Sequence, residues 1–231
     1  MDKISSEIFN ELKSCLGVIF DFDGTIVQSN NIKRDGFLLT IERTNFSKNH
    51  PDSISLINEI LSQPNKGGTR VEVFAKLTET LKAPEYKQLL IETYAAICQE
   101  KILTAAEVNG AKCFLSELQK HNKKVFLCSL TPQNALQSLI NKLGMSHYFT
   151  EVLGTPKTKE VNILQLMHSH KIPPERLILF GDGESDRKAA LHHEIFFVAL
   201  KNEYNDFNQE VPNKISDYSC FLKSNQLCYD K

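Results

Sequence analysis

Residues 18–25 read Val18-Ile19-Phe20-Asp21-Phe22-Asp23-Gly24-Thr25, an apolar run that stops at two aspartates one residue apart. The pattern predicts a short, fully buried strand over Val18–Phe20, closed by Gly24. Asp21 and Asp23 then stand just past the strand's carboxyl end, where open α/β sheets bind ligands. Two carboxylates that close repel each other, and a divalent cation relieves the repulsion. Mg²⁺ fits best, being a hard ion that favours oxygen ligands and phosphate. The plainer alternative is an acidic turn, with Asp21 capping local backbone.

Three more segments repeat the design of a buried strand ending in polar chemistry. Val125-Phe126-Leu127-Cys128 leads into Ser129, Leu130, Thr131 and Pro132. Thr131 as N-cap and Pro132 as first helical residue predict a helix from there. Ser129 would lie between strand end and helix N-terminus, offering a hydroxyl and backbone N–H groups to an anion. An ordinary turn serine is the alternative. Next, Gly154-Thr155-Pro156-Lys157-Thr158-Lys159-Glu160 precedes a helical pattern with Val161, Leu164 and Met167 on one side. Thr158 as N-cap puts Lys159 in the first turn, where a cation opposes the helix dipole by a few tenths to about 1 kcal/mol. A lysine against that preference answers to a phosphate. Lys157 is the rival, and a solvated surface lysine the alternative for either. Last, Leu177-Ile178-Leu179-Phe180 runs into Gly181-Asp182-Gly183-Glu184-Ser185-Asp186. The glycines allow a tight loop presenting Asp182, and Asp186 reaches the same site if a helix begins there. Ala189 and Ala190 would let that helix pack closely. A calcium loop would need an alternating run of oxygen ligands that this stretch lacks.

In this order, the motifs resemble those of the haloacid dehalogenase superfamily, in its phosphatase branch. Its first motif, DxDG[T/V], matches Asp21 to Thr25; its Ser/Thr motif matches Ser129, its lysine motif Lys159, and its GDxxxD motif Gly181 to Asp186. The resemblance spans nearly the whole chain. It implies an α/β fold, a Rossmann-like parallel-sheet core in three α/β/α layers.

The remaining sequence bounds this expectation. The chain of 231 residues is long enough for a core plus a smaller insertion. Hydrophobic content of 41% and charged content of 24% are those of a globular protein. A net charge of −1 favours neither nucleic acid nor an anionic membrane surface. Ile4, Ile8 and Leu12 give the first fourteen residues an amphipathic helical pattern, without the apolar stretch of a signal or a membrane span. The expected setting is the cytoplasm. Cys15, Cys98, Cys113, Cys128, Cys220 and Cys228 show no CxxC and read as reduced thiols. His168 with His170, and His192 with His193, have no partner at zinc-ligand spacing.

From residue 105 onward, apolar strand runs alternate with helices, predicting a parallel sheet with crossover helices. Further strands are expected near Phe149–Leu153 and Ile195–Leu200. Between Val27 and about Leu103 the pattern is consecutively helical: about Asn31–Phe46, then from Pro51, then after Arg70, then from Pro84. The expected organisation is a core of residues 1–26 and 105–231 with a helical domain, 27–104, inserted between the first two strands. It resembles the helical cap of many family members, which closes over the site and sets specificity. Within it, the Lys66-Gly67-Gly68-Thr69-Arg70 loop resembles a glycine-containing segment whose arginine faces substrate. An exposed helix–helix loop is the alternative. Lys33 is a weaker candidate, and Phe37, Phe74 and Tyr94 read as core.

The resemblance implies a mechanism. Asp21 attacks phosphorus to give a phospho-aspartyl intermediate, and Asp23 carries the proton to the leaving oxygen and later from water. Mg²⁺ is held by Asp21, Asp182 and the phosphate, with Asp186 in reach and Asp23 contributing its backbone carbonyl. Ser129 and Lys159, with backbone N–H groups near Gly24, Thr25 and Leu130, clamp the phosphate oxygens, and Lys66 and Arg70 face the rest of the substrate. The expected activity is hydrolysis of a small phosphorylated metabolite, a sugar phosphate or phosphoglycolate-like compound. The alternatives are a sugar phosphomutase and a non-catalytic interaction protein on the same fold.

Overall fold

In a computed structural model of the protein, residues 6–63, 68–204, 207 and 209–223 are described. The apolar run that opens the sequence reading forms β1 (Gly17–Phe20), buried at every position. It lies inside a six-stranded parallel sheet of order β3-β2-β1-β4-β5-β6. The other strands are β2 (Lys124–Pro132), β3 (Glu151–Thr155), β4 (Leu177–Gly181), β5 (Phe196–Leu200) and β6 (Lys214–Ile215). Burial on both faces explains the unbroken runs of Val, Ile, Leu and Phe. The chain winds outward from β1 through β2 to β3, then returns to β4 on its other side, so β1 and β4 flank the switch point where such sheets bind ligands. Phe20 is paired with Leu127 of β2 and with Phe180 of β4. The chain therefore leaves β1 and β4 at about one level, with β2 running alongside.

Successive side chains of β1 point to opposite faces. Ile19 joins Phe126, Cys128, Leu153, Leu177 and Leu179 beneath two helices, α9 (Lys159–His170) and α10 (Glu184–His192). Phe20 goes to the other face, stacked on Phe180 at 5.2 Å and edge-on to Phe114 of α7 (Ala111–Lys120) at 6.1 Å. Tyr218 and Phe221 complete that aromatic layer. Helices thus cover both faces, as the α/β reading expects. The N-terminal amphipathic pattern forms α1 (Ser6–Ser14), burying Ile8 and Leu12; Ile4 lies outside the described residues.

The chain divides into two compact units, one from residues up to Gln28 together with those from Ala105 onward, the other Ser29–Thr104. The second is helical: α2 (Asn30–Arg43), α3 (Phe46–Asn49), α4 (Ser53–Ser62), α5 (Arg70–Thr80), a 3₁₀ turn (Pro84–Tyr86) and α6 (Lys87–Ile102). Its core holds Phe37, Phe74 and Tyr94, with ring centroids 4.5–5.8 Å apart. A Cβ on Gly36 would stand 3.1 Å from both Cys98 and Tyr94, so glycine lets α2 approach α6 closely. The expected helix to Phe46 stops at Arg43 because Asn45 takes the left-handed conformation, φ 53°, and α3 starts afresh.

Two local expectations are corrected. Strand β2 runs on to Pro132, which pairs with Thr155, and α8 (Gln133–Lys142) begins one residue later with Pro132 as N-cap. Thr131 is strand, not cap, and Ser129 lies within β2. In α9, Val161 and Leu164 are 48% and 44% exposed, while Lys159, Asn162, Ile163 and Leu166 are buried. Of the side carrying Val161, Leu164 and Met167, Met167 packs against the core while the other two face solvent; the sheet takes Ile163 and Leu166, and that choice turns Lys159 inward.

Candidate active site

At the end of β1, the Asp21 N–H donates to Phe180 O at 2.9 Å, extending the β1–β4 ladder by one residue. The chain then turns tightly, Ile26 N–H bonding back to Phe22 O, with Gly24 at φ 71°, a conformation that favours glycine. The Gly24 N–H donates to Val27 O at 2.8 Å, so it is not offered to a ligand, which corrects that expectation. Thr25 is fully buried as well. Its carbonyl accepts from Tyr218 OH at 3.1 Å, and its Oγ1 has no hydrogen-bond partner.

Lys159 enters from the first turn of α9, whose N-cap Thr158 accepts from Val161 N–H. Only 3% exposed, it reaches Asp21 Oδ1 at 2.9 Å and also pairs with Asp186 Oδ1. Lys157 instead donates to Gln165 at the surface. From the β4 side, α10 begins at Glu184, and Asp186 folds back so that its Oδ2 accepts from Gly183 N–H at 3.1 Å. A Cβ on Gly181 would strike the Asp186 carboxylate; close approach, not a left-handed φ, requires glycine there. Asp182 Oδ2 accepts from Asn202 Nδ2 at 2.8 Å. From β2, Ser129 is buried with Oγ accepting from Thr131 N–H, and Thr131 Oγ1 donates to Asp23 Oδ2 at 3.2 Å.

Asp21, Asp182 and Asp186 each offer a carboxylate oxygen within 4.8 Å of the others. The Asp23 carboxylate stands outside that group, on Thr131. Burial pushes the Asp21 carboxyl up to about 6; Lys159 pulls it down, and Asp186 and Asp23 push it further up. Burial likewise raises Asp186, against the pull of Lys159. For Lys159 burial works toward neutrality, but Asp186 and Asp21 outweigh it and hold the ammonium above its usual range. Negative charge therefore exceeds what one lysine neutralises, and an oxygen-liganded divalent cation fits this donor set. Cys128, behind Lys159, is raised to about 12, chiefly by burial, and is an inert thiol.

The remaining expected residues divide. Leu130 is 43% exposed within β2, where the β2–β3 register shifts. Arg70 belongs to the helical unit, as the first residue of α5 behind a capping box in which Thr69 and Glu72 bond reciprocally. Among the described residues, its Nε is buried without a hydrogen-bond partner. Lys66 lies outside the described residues. Sequence reasoning missed Thr131, Asn202 and Tyr218. Asn202 follows the end of β5 by two residues, so the rule that singled out Asp182 could have found it; Tyr218 carries no such local signal.

A family model described as haloacid dehalogenase-like hydrolase matches residues 18–200. The chain belongs to that family. It is an enzyme of the phosphatase kind, aligned along most of its length with one: it is 26% identical over 220 residues to a phosphoglycolate phosphatase of Photorhabdus laumondii, covering 91% of this chain and 89% of that protein. Among solved structures, a predicted phosphoglycolate phosphatase from Haemophilus somnus 129PT superposes with a TM-score of 0.68 at 16% identity, covering 91% of this chain and 97% of that one. A variant of CbbY from Rhodobacter sphaeroides in complex with xylulose-(1,5)bisphosphate superposes at 0.67 and 13% identity, covering 89% and 95%. These likenesses of structure carry the fold.

Proposed function

We propose that the protein is a Mg²⁺-dependent phosphatase that hydrolyses the monoester of a small phosphorylated metabolite through a phospho-aspartyl intermediate on Asp21. The observation that carries this reading is the buried Asp21 carboxylate, held at the switch point by Lys159 and surrounded by more negative charge than Lys159 balances. Asp21, Asp182 and Asp186 would hold the ion. When bound, Mg²⁺ supplies the positive charge that lets an anionic carboxylate meet an anionic phosphate.

The chain's own residues do the rest. Lys159 orients Asp21 through Oδ1 and holds a permanent charge beside it, suited to the phosphate oxygens. Asp186, bonded to both Lys159 and Gly183, fixes the lysine. Ser129 accepts with its oxygen from Thr131 N–H, which leaves its hydroxyl proton to donate to phosphate. Asp21 attacks phosphorus while Asp23 protonates the departing oxygen, and Asp23 then takes a proton from the water that opens the acyl phosphate. The relatives' substrates favour a phosphoglycolate-like or sugar-phosphate ester. We assign the enzyme to the cytoplasm; among the described residues no cysteine forms a disulfide, and no helix is long and apolar enough to cross a membrane.

The test is phosphate release from a phosphometabolite panel that includes 2-phosphoglycolate and pentose and hexose phosphates. Release should vanish with EDTA, return with Mg²⁺ and be lost in Asp21→Asn. Turnover by Asp21→Asn at the wild-type rate would remove the nucleophile, and isomerisation without free phosphate would replace hydrolysis with phosphoryl transfer.

A further inference from the structure

Asp23, as the proton carrier of the proposed phosphatase reaction, must present one carboxyl oxygen to the reacting ester while the rest of the group is held still. Thr131 supplies a hold. Its Oγ1 lies 3.2 Å from Asp23 Oδ2, and both residues are buried, each 7% exposed. An ionised carboxylate only accepts hydrogen bonds, so the threonine hydroxyl donates. The same donation persists to the carbonyl-type oxygen once the acid is protonated.

Thr131 is itself held from behind by an irregularity in the sheet. The β2–β3 register shifts between Cys128 and Pro132. Across that shift, Gln133 donates Nε2 to Val152 O at 2.9 Å and accepts from Gly154 N–H at 2.5 Å. Asn162 of α9 donates to Gly154 O at 3.1 Å. A Cβ on Gly154 would stand 2.5 Å from Thr131 O, so glycine permits the approach. Irregularities of this kind beside active sites re-aim side chains. Here Ser129 and Thr131, two residues apart on one strand, are both buried at the site: Ser129 receives the Thr131 N–H, and Thr131 spends its hydroxyl on Asp23.

We propose that Thr131 is a positioning residue for proton transfer, its hydroxyl bonding Asp23 Oδ2 and so orienting the carboxyl that carries the proton. In the first half-reaction the Asp21–phosphorus bond forms, the ester P–O bond breaks, and the Asp23 proton passes to the departing alkoxide. In the second, water attacks phosphorus, its proton returns to Asp23, and the bond to Asp21 breaks. Thr131 changes partner in neither.

The inference rests on the phosphatase reading, and the test separates the two. An alkyl phosphate expels an alkoxide that needs the proton, whereas para-nitrophenyl phosphate expels a stable phenolate that does not. With Mg²⁺ present, Thr131→Val should lower the ratio of kcat/KM on the best alkyl phosphate to kcat/KM on para-nitrophenyl phosphate about tenfold, since kcat/KM reports the first half-reaction and not the hydrolysis step that both esters share. Thr131→Ser should restore the ratio. Thr131→Ala carries the same expectation as the valine variant and replaces it if a thermal melt shows that variant unfolded. Equal losses on both esters, an unchanged ratio, or a serine variant that behaves like valine would overturn the inference alone. A wild-type protein inactive on every ester would overturn the phosphatase reading, and this inference with it.

Discussion

Lys159 stays charged between Asp21 and Asp186 in a place where burial alone works to strip its proton. Removing one member of such a buried pair strands the others. Lys159→Met should cost the metal-free protein about 3–5 kcal/mol in urea melts at pH 7. The loss should shrink at pH 5, as the stranded carboxylates take up protons. A cost that does not change with pH would mean that lost packing, not stranded charge, is being measured. Asp21→Asn is the reverse case. It removes a carboxylate whose ionised form is disfavoured by burial, so the metal-free melting temperature should not fall. Phosphate release should nevertheless drop on the order of 10⁴-fold or more, as when a covalent nucleophile is removed. At this scale the strand-end positions of Asp21, Asp23, Ser129 and Asp182 were legible, because each follows an apolar run by a short distance, whereas Lys159 was legible only as a cation in a first helical turn. Tyr218 was not, since its contact with Thr25 joins positions 193 residues apart.

The α9 helix has two candidate apolar stripes, and composition does not choose between them. The sheet does, by burying Ile163 and Leu166 and leaving Val161 and Leu164 in solvent. Ile163→Ala should therefore cost about 2–5 kcal/mol, whereas Leu164→Gln should stay within about 0.5 kcal/mol of wild type. Chemical denaturation of the two variants decides the face, and equal costs would refute it. The β2–β3 irregularity makes a similar demand. Gly154→Ala forces its Cβ onto Thr131 O and onto the Gln133 backbone at 2.8 Å. It should cost about 1–3 kcal/mol by overpacking and lower kcat, because the displaced strand carries Ser129 and Thr131. Thr131 was read as a helix cap because Thr-Pro is a common helix start. The continued pairing of Pro132 with Thr155 extends the strand instead, an effect of a neighbouring strand that no local pattern records.

The carboxylate cluster couples stability to pH and, on the proposed Mg²⁺-dependent reading, to metal. Asp21 has a folded-state value of about 6 against an ordinary 3.8, so the native state holds its proton more tightly than the unfolded chain. Its contribution to stability is full below 3.8 and is lost as pH rises through about 6. The metal-free melting temperature should fall across that window by more in the wild type than in Asp21→Asn. Mg²⁺ should oppose the fall, since an ion needs ionised ligands and stabilises the state it binds, by about 2.7 kcal/mol at a hundredfold excess over Kd. The Mg²⁺-induced rise should accordingly be larger at pH 7 than at pH 5; calorimetry at the two values checks it. By itself, the sequence determined the parallel sheet and the order of the motifs, because buried strands and the turns that end them are written in contiguous residues. Only the tertiary structure decided which face of α9 turns inward, where β2 ends, and that the Gly24 N–H and the Thr25 carbonyl are used within the fold. Each of those outcomes depends on which distant surface or backbone group lies opposite, and packing supplies that partner.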